Sequence, residues 1–334
     1  TERWRVAGGL RYSRDDKTYT WKTNPSDLDW PVAPVILNYN PGDVDDDPSN
    51  DFDRYERSDS WSKVTGRLVT DWQFSDLAMA YASIATGYRS GGFDGQTFRS
   101  LVVDPFDPEE TINYELGLKG DLFESKLRVE AAVFYMELDN KQETRSTKDS
   151  PDDPTASPKV VSGEEDIEGV ELVMTWSLNE DLRLEASSTY RESESVLERY
   201  FNASGEPAGG DTQVGRADTD YALRLDWTPR VPTGSLLVHV DYVFEEDSGP
   251  DRNTVVLFEG PWYFQDKKQL SARIAWLSPD EVLEVALWGQ NLLDEEYATN
   301  PGGFVADPVN GLAAAHTRLD DPLTWGMGFR WTLF

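Results

Sequence analysis

With no cysteine and two histidines, His239 and His316, this chain of 334 residues carries few side chains suited to covalent or metal chemistry. His239 falls in an alternating, strand-like stretch and His316 in the long loop expected between 298 and 321, before the last strand. No Ser/His/acid set assembles around either, and carboxylates are too abundant for any pair to mark a general acid and base. The expectation is that the protein is not an enzyme. What the chain does hold is recognition chemistry, in the form of aromatic faces and guanidinium groups placed between its regular segments. Arg89, Phe93, Phe98, Arg191, Tyr200 and Trp262 are the candidate ligand contacts, since rings and cations together bind flat or anionic groups. An exposed ring could equally pack within its own loop. The acidic runs, from Asp43 to Asp59 and from Lys148 to Asp153, read first as solvated loops. Calcium held between them is the sharper alternative; no cofactor or protein metal site is assigned.

Charge and composition narrow the partners. A net charge of −31, from 31 basic and 62 acidic residues, excludes nucleic acid, whose phosphates call for a basic surface. The same acidity does not signal disorder, because 12 Trp, 14 Tyr and 14 Phe residues are more than a disordered chain carries. No uninterrupted apolar run reaches the length of about 18 residues that a membrane helix needs. A membrane β-barrel stays open, because every second residue of its strands is free to be polar.

The elements that would position the candidate contacts are strands. About twelve segments alternate apolar and polar residues. They cover 3–22, 58–74, 77–89, 111–123, 126–142, 166–178, 181–194, 217–229, 234–247, 262–278, 281–297 and 322–334. In one, Ile112, Tyr114, Leu116 and Leu118 share a face opposite Asn113, Glu115, Gly117 and Lys119. The last, PLTWGMGFRWTLF, sets Trp325, Met327, Phe329, Trp331 and Leu333 along one face and ends the chain on Phe334. A soluble sandwich is the rival reading of such strands. Against it, very short links such as Ser75-Asp76, Glu124-Ser125 and Asn179-Glu180 alternate with long segments rich in Asp, Gly, Pro and Ser. Tight turns at one end and long loops at the other are the pattern of an outer-membrane barrel. Trp72, Trp176, Trp227, Trp276 and Trp331 each fall on the apolar parity near a short turn or the C-terminus, which suits a girdle at the lipid headgroups. The opposite parity carries Arg5, Arg11, Lys63, Arg67, Asp71, Arg183, Glu185, Arg224, Asp226, His239, Asp241 and Arg330. A lysine or arginine facing lipid at mid-membrane costs about 2–4 kcal/mol, so these side chains must line a polar lumen.

Several stretches taken in order resemble the TonB-dependent outer-membrane receptors of the iron-complex type. They are WRVAGGLRYSRDDKTYTW at 4–21, YASIATGYRSGGFDGQTF at 81–98, PEETINYELGLKGDLF at 108–123, LRVEAAVFYMELDNKQ at 127–142, IEGVELVMTW at 167–176, LWGQNLLDEEY at 287–297, and the terminal strand. The resemblance implies an antiparallel barrel of about 22 strands around an N-terminal plug. Only about twelve strands are present here, and nothing resembles the plug or the energy-coupling box. Residues 1–334 are therefore expected to be the C-terminal part of such a barrel, with a complete small barrel ranked second. The first residue is Thr, with no signal peptide at the start. If a first barrel strand is missing, the two outermost strands are expected to have open edges. The resemblance further implies the outer membrane of a Gram-negative bacterium, contact with its lipid and lipopolysaccharide, a ferric siderophore or similar nutrient as ligand, and energy from the TonB complex acting through a plug outside this chain. Phe334 would be the signal for barrel assembly. Many ferric siderophores are anionic and sit awkwardly with acidic loops, so cobalamin or a saccharide stays open as ligand. A passive porin and a surface adhesin stay open as functions.

Overall fold

The structure, a computed structural model, describes residues 3–21, 55–94, 105–153, 156–214, 218–246, 266–307 and 312–332. Twelve strands form its wall. They are β1 (Trp4–Trp21), β2 (Tyr55–Ser75), β3 (Ala78–Arg89), β4 (Glu109–Leu122), β5 (Leu127–Asp139), β6 (Gly163–Ser177), β7 (Leu182–Leu197), β8 (Asp218–Trp227), β9 (Gly234–Glu245), β10 (Lys267–Leu277), β11 (Leu283–Gln290) and β12 (Thr324–Trp331). Each pairs antiparallel with the next in chain order, from β1 through to β12. The sheet is open: among the described residues β1 pairs only with β2, and β12 only with β11. The open edges expected from the sequence are thus present.

Alternation along each strand is carried across the sheet by register. Tyr114 lies opposite Tyr135, Leu116 opposite Val133 and Leu118 opposite Ala131, so their apolar side chains form one continuous face. That face is uncovered: Leu116 is 60% exposed, Leu10 86% and Met327 74%. Buried apolar residues are few among those described, namely Val161, Leu197, Ala275, Ala286 and Tyr297. A sheet of this size with its large apolar side chains outward and hardly any core is not a soluble sandwich; lipid is the solvent that such a face fits.

The other face is charged and neutralises itself across strands. Arg5 and Asp71, Lys119 and Glu130, Arg128 and Asp121, and Arg224 and Asp241 are each directly opposite partners joined by ion pairs of 2.5 to 2.8 Å. Glu284 on β11 pairs with Arg273 on β10 and Arg330 on β12, binding three strands together. Glycine on this face makes room for rings: the Phe134 ring leaves only 2.5 Å for a Cβ on Gly169, directly opposite, and Trp288 covers Gly326 in the same way.

Links on one side of the sheet are short. Residues 76–77, 123–126, 178–181, 228–233 and 278–282 close hairpins there. Phe123, Glu124 and Ser125 turn the chain with φ of 52°, 59° and 66°, a left-handed run without glycine. On the other side the long segments build strands of their own. Residues 143–148, 157–161, 200–202 and 207–208 make a four-stranded sheet, residues 92–93 pair with 105–106, and residues 298–307 pair with 312–319. The last hairpin corrects the expectation of a plain loop between 298 and 321.

Candidate functional site

The side with long segments carries two connected assemblies. The first begins where β2 leaves β3. Their ladder stops at Arg67 opposite Ala85, and the Gly66 N–H donates instead to the Thr86 hydroxyl at 2.8 Å. Strands β1 and β2 continue together to Trp21 opposite Tyr55 as a two-stranded ribbon that outruns the wall. On it, Lys17, Tyr19 and Trp61 occupy the same parity as Lys63 and Arg67.

These three meet the segment that follows β3. The Lys17 ammonium donates to the Gly91 carbonyl at 2.6 Å and stands 5.6 Å from the centre of the Trp61 ring. Phe93 lies 5.9 Å from Tyr19 and 6.0 Å from Trp61, edge-on to the indole. Gly91 is needed here, because the Trp61 indole nitrogen would sit 2.5 Å from any Cβ at that position. Further bonds hold the segment in place: the Gln142 amide donates to the carbonyls of Ser90 and Asp107 at 3.2 and 3.0 Å, and the Asp94 carboxylate accepts from Val160 N–H at 2.6 Å. The result is a clasp with aromatic walls and one ammonium.

Val160 belongs to the second assembly, the four-stranded sheet. It grows straight out of β6 and β7, whose ladder ends with Gly163 opposite Leu197; beyond it Glu198 N–H donates to the Ser162 carbonyl at 2.9 Å. Leu197 and Val161 bury the root of the sheet. Tyr200 and Phe201 stand at its centre, paired with Ala208 and Pro207, while Phe201 also pairs with Lys148 on the other side.

Of the candidate contacts read from the sequence, the structure brings Phe93 into the clasp and Tyr200 into the loop sheet, the two being joined through Asp94 and Val160. Arg89 ends β3 with Glu109 at 3.9 Å. Arg191 on β7 is committed to Asp218 at 2.7 Å and Asp220 at 3.5 Å, so carboxylates on the wall already offset both cations. Phe98, Trp262 and Phe334 lie outside the described residues, as does most of the acidic run from Asp43 to Asp59. Among the described residues no group of three or more His, Asp or Glu side chains converges as a metal site. His239 is bracketed by Asp226, 2.7 Å from its Nδ1, and by Asp241 at Nε2, with no hydroxyl nucleophile between them.

The tryptophans keep to the apolar face beside the short links. Trp72, Trp176 and Trp227 are 42–43% exposed and Trp331 64%, while Trp276 is half-buried. Trp4 was missed as a sixth and stacks on Trp72 with ring centres 5.6 Å apart. Sequence reasoning also missed Lys17, Tyr19 and Trp61. The available signal was parity: large rings at 19 and 61 fall in step with Arg11, Lys63 and Arg67, where a polar residue is expected.

Comparison with known proteins agrees with this geometry. The sequence pattern of the family described as TonB dependent receptor-like, beta-barrel matches residues 1–292. The pesticin receptor of Yersinia pestis is 24% identical over 96% of this chain, which spans 42% of that protein. The ferric yersiniabactin uptake receptor FyuA from Yersinia pestis superposes over 100% of this chain and 44% of its own, with TM-score 0.67 and 18% identity. The siderophore receptor PiuA from Acinetobacter baumannii gives TM-score 0.64 at 17% identity, with 99% and 41% covered. The chain thus spans less than half the length of these relatives. An open wall of consecutive antiparallel strands, an uncovered apolar face and an elaborated loop side, together with a match over most of its length, make this chain a member of the TonB-dependent receptor β-barrel family.

Proposed function

We propose that this chain forms part of the wall and outer mouth of a receptor that takes up a bulky, scarce nutrient, most simply a ferric siderophore. The observation that carries this reading is the clasp of Lys17, Tyr19, Trp61 and Phe93, tied to the loop sheet holding Tyr200. Rings and a cation gathered on the loop side suit capture of a flat, anionic complex, and a passive pore has no use for them. The names of two relatives, one a siderophore receptor and the other a ferric yersiniabactin uptake receptor, support the same class of ligand. As a family member the chain sits in the outer membrane of a Gram-negative cell. In that setting the tryptophans beside the short links meet the periplasmic headgroups, and the Tyr12, Tyr135 and Tyr190 rings approach the lipopolysaccharide leaflet. Energy for release would come from the TonB complex through a plug that this chain does not contain.

Uptake of radioactive iron under iron limitation, with and without the intact gene, tests the proposal. The expected result is a several-fold fall in uptake on deletion, restored by the gene in trans. Unchanged uptake overturns it.

A further inference from the structure

Among the described residues, the apolar parity of the twelve wall strands carries two cations, Arg14 on β1 and Lys268 on β10. Arg14 is committed to Asp16 at 3.0 Å. Lys268 is not committed: its neighbour Lys267 takes Glu245 and Asp320 at 3.8 and 3.5 Å, while Lys268 itself forms no ion pair among the described residues. Register fixes the face on which it stands. Lys268 is directly opposite Phe244, Leu270 is opposite Tyr242, and the same parity runs on through Ala272 and Ile274 to Trp276 beside the short link. The buried Tyr297 holds the strand at this point, since its hydroxyl accepts from Lys268 N–H at 2.7 Å and donates to the Lys268 carbonyl at 3.1 Å.

Height on the wall follows from the strand. Lys268 and Trp276 are eight residues apart on β10. At about 3.3 Å per residue and a tilt of about 40°, that is roughly 20 Å of height in an apolar band about 25 Å tall. A lysine so placed leaves its stem against the apolar band and lifts its ammonium into the outer headgroups. Beside it the rings of Tyr221 and Phe244 stack with centres 4.8 Å apart, and Tyr242 lies 6.0 Å from Tyr221. On this parity β8, β9 and β10 hold no carboxylate within their bounds. The adjoining β6 and β7 are the reverse, with Asp166 opposite Glu194 and Glu168 opposite Glu192. The outer rim therefore has an acidic sector and, next to it, an aromatic sector with one unneutralised ammonium.

We infer that the outer ends of β8, β9 and β10 bind a phosphorylated lipid of the outer leaflet by its headgroup. The Lys268 ammonium pairs with the phosphate, Tyr221, Tyr242 and Phe244 flank the headgroup, and the acyl chains run down over Leu270, Ile274 and Val240. The occupant is a lipid and not free phosphate, because the ammonium stands on the lipid-facing parity directly above apolar side chains. The carboxylates of β6 and β7 repel the same headgroup, which confines it to the aromatic sector. This site goes beyond nutrient uptake and does not rest on it.

The test uses protein purified from outer membranes in detergent and titrated with hexa-acylated diphosphoryl lipid A or its dephosphorylated form, the first binding event being read by native mass spectrometry. The phosphorylated lipid is expected to bind at least about tenfold more tightly than the dephosphorylated one, and inorganic phosphate in large excess not to displace it. Lys268→Gln should reduce that preference about three- to tenfold, and Lys268→Arg should keep it. Arg14→Gln removes the same charge from the same parity at a cation already engaged by Asp16, and should leave the preference unchanged. Heat-modifiable gel migration shows whether each variant is folded. Equal binding of the two lipids, displacement by inorganic phosphate, or a folded Lys268→Gln variant with wild-type preference overturns the assignment. So does an equal loss in Arg14→Gln, which would reduce the effect to net surface charge. A phosphate preference that depends on Lys268 stands whatever the uptake experiment returns.

Discussion

The ring of Tyr81 on β3 lies flat over Gly117, its directly opposite partner on β4, and its hydroxyl donates to the Glu115 carboxylate at 2.6 Å. Lys119, two residues further along β4, places its ammonium 5.8 Å from the centre of the same ring. Glycine is thus the surface on which an aromatic side chain rests while its polar end reaches a charge. Replacing it with alanine puts a methyl group where the ring lies. Gly117→Ala is expected to destabilise the folded wall by about 1–3 kcal/mol, the usual cost of overpacking. The urea midpoint for loss of heat-modifiable gel migration measures this, and Gly9→Ala, where a Cβ meets nothing within 4 Å, is the matched control.

Glu284 gives a second prediction. Its side chain is 7% exposed and receives Arg273 from one neighbouring strand and Arg330 from the other. Since β12 pairs only with β11 among the described residues, this carboxylate is one of few side-chain bonds holding that strand. Glu284→Ala should cost about 1–3 kcal/mol, because both guanidinium groups lose their acceptor. Both arginines reach solvent, at 41% and 72% exposure, which keeps the loss below that of a fully buried pair. Glu284→Gln should recover part of it. Equal midpoints for Ala and wild type would show that the backbone ladder alone holds β12.

The clasp predicts a functional effect separable from stability. Gly91→Val drives a side chain into Trp61 and the Phe106 carbonyl, and Trp61→Ala removes the indole that Lys17 and Phe93 share. Both should leave the ladders below Gly66 intact while freeing the segment that follows β3. Iron uptake should fall several-fold in each variant, with protein levels in the outer membrane unchanged and faster proteolysis between residues 90 and 108. Wild-type uptake in both would remove the clasp from the ligand path.

Alternation is a local signal that survives whenever one strand face meets lipid and the other water, and for that reason the wall was legible. The segment read as 111–123 is β4 at Glu109–Leu122, and that read as 181–194 is β7 at Leu182–Leu197. Reading failed where the chain ceases to have two different solvents. The segment read as 281–297 ends at Gln290, because Asn291 and Asp294 take φ of 48° and 55° and the Asn291 amide turns back to the carbonyls of Glu295 and Asp321. The hairpin of 298–307 and 312–319 was hidden because its register is interrupted twice, at Thr299 and across Gly302 and Gly303. The loop sheet joins residues some 50 apart, a pairing that no single stretch announces. Of the site, Phe93 and Tyr200 were chosen as rings in loops, but Lys17 and Trp61 were passed over as ordinary strand positions. Their role depends on a ribbon leaving the wall, which is a tertiary event.

The short link at 278–282 gives a prediction in pH. Asp280 accepts a hydrogen bond from the Ser278 hydroxyl at 2.5 Å and a longer one from Val282 N–H at 3.3 Å, and Leu283 N–H donates in turn to the Ser278 oxygen at 2.9 Å. The Ser278 bond first, then the backbone donor, hold the Asp280 carboxyl below its ordinary value of 3.8. A carboxyl depressed by folding favours the folded link whenever it is ionised, so its contribution is complete above the ordinary value and disappears as pH falls through the depressed one. Amide exchange at Val282 and Leu283, corrected for intrinsic rates, should therefore show constant protection from neutral pH down to the ordinary carboxylate range and a loss beneath it. Asp280→Asn should lower protection at neutral pH and flatten the acid dependence, while β10 and β11 stay paired. A wild-type profile in the asparagine variant would mean that the Ser278 hydroxyl bond to Leu283 closes the link without the charge.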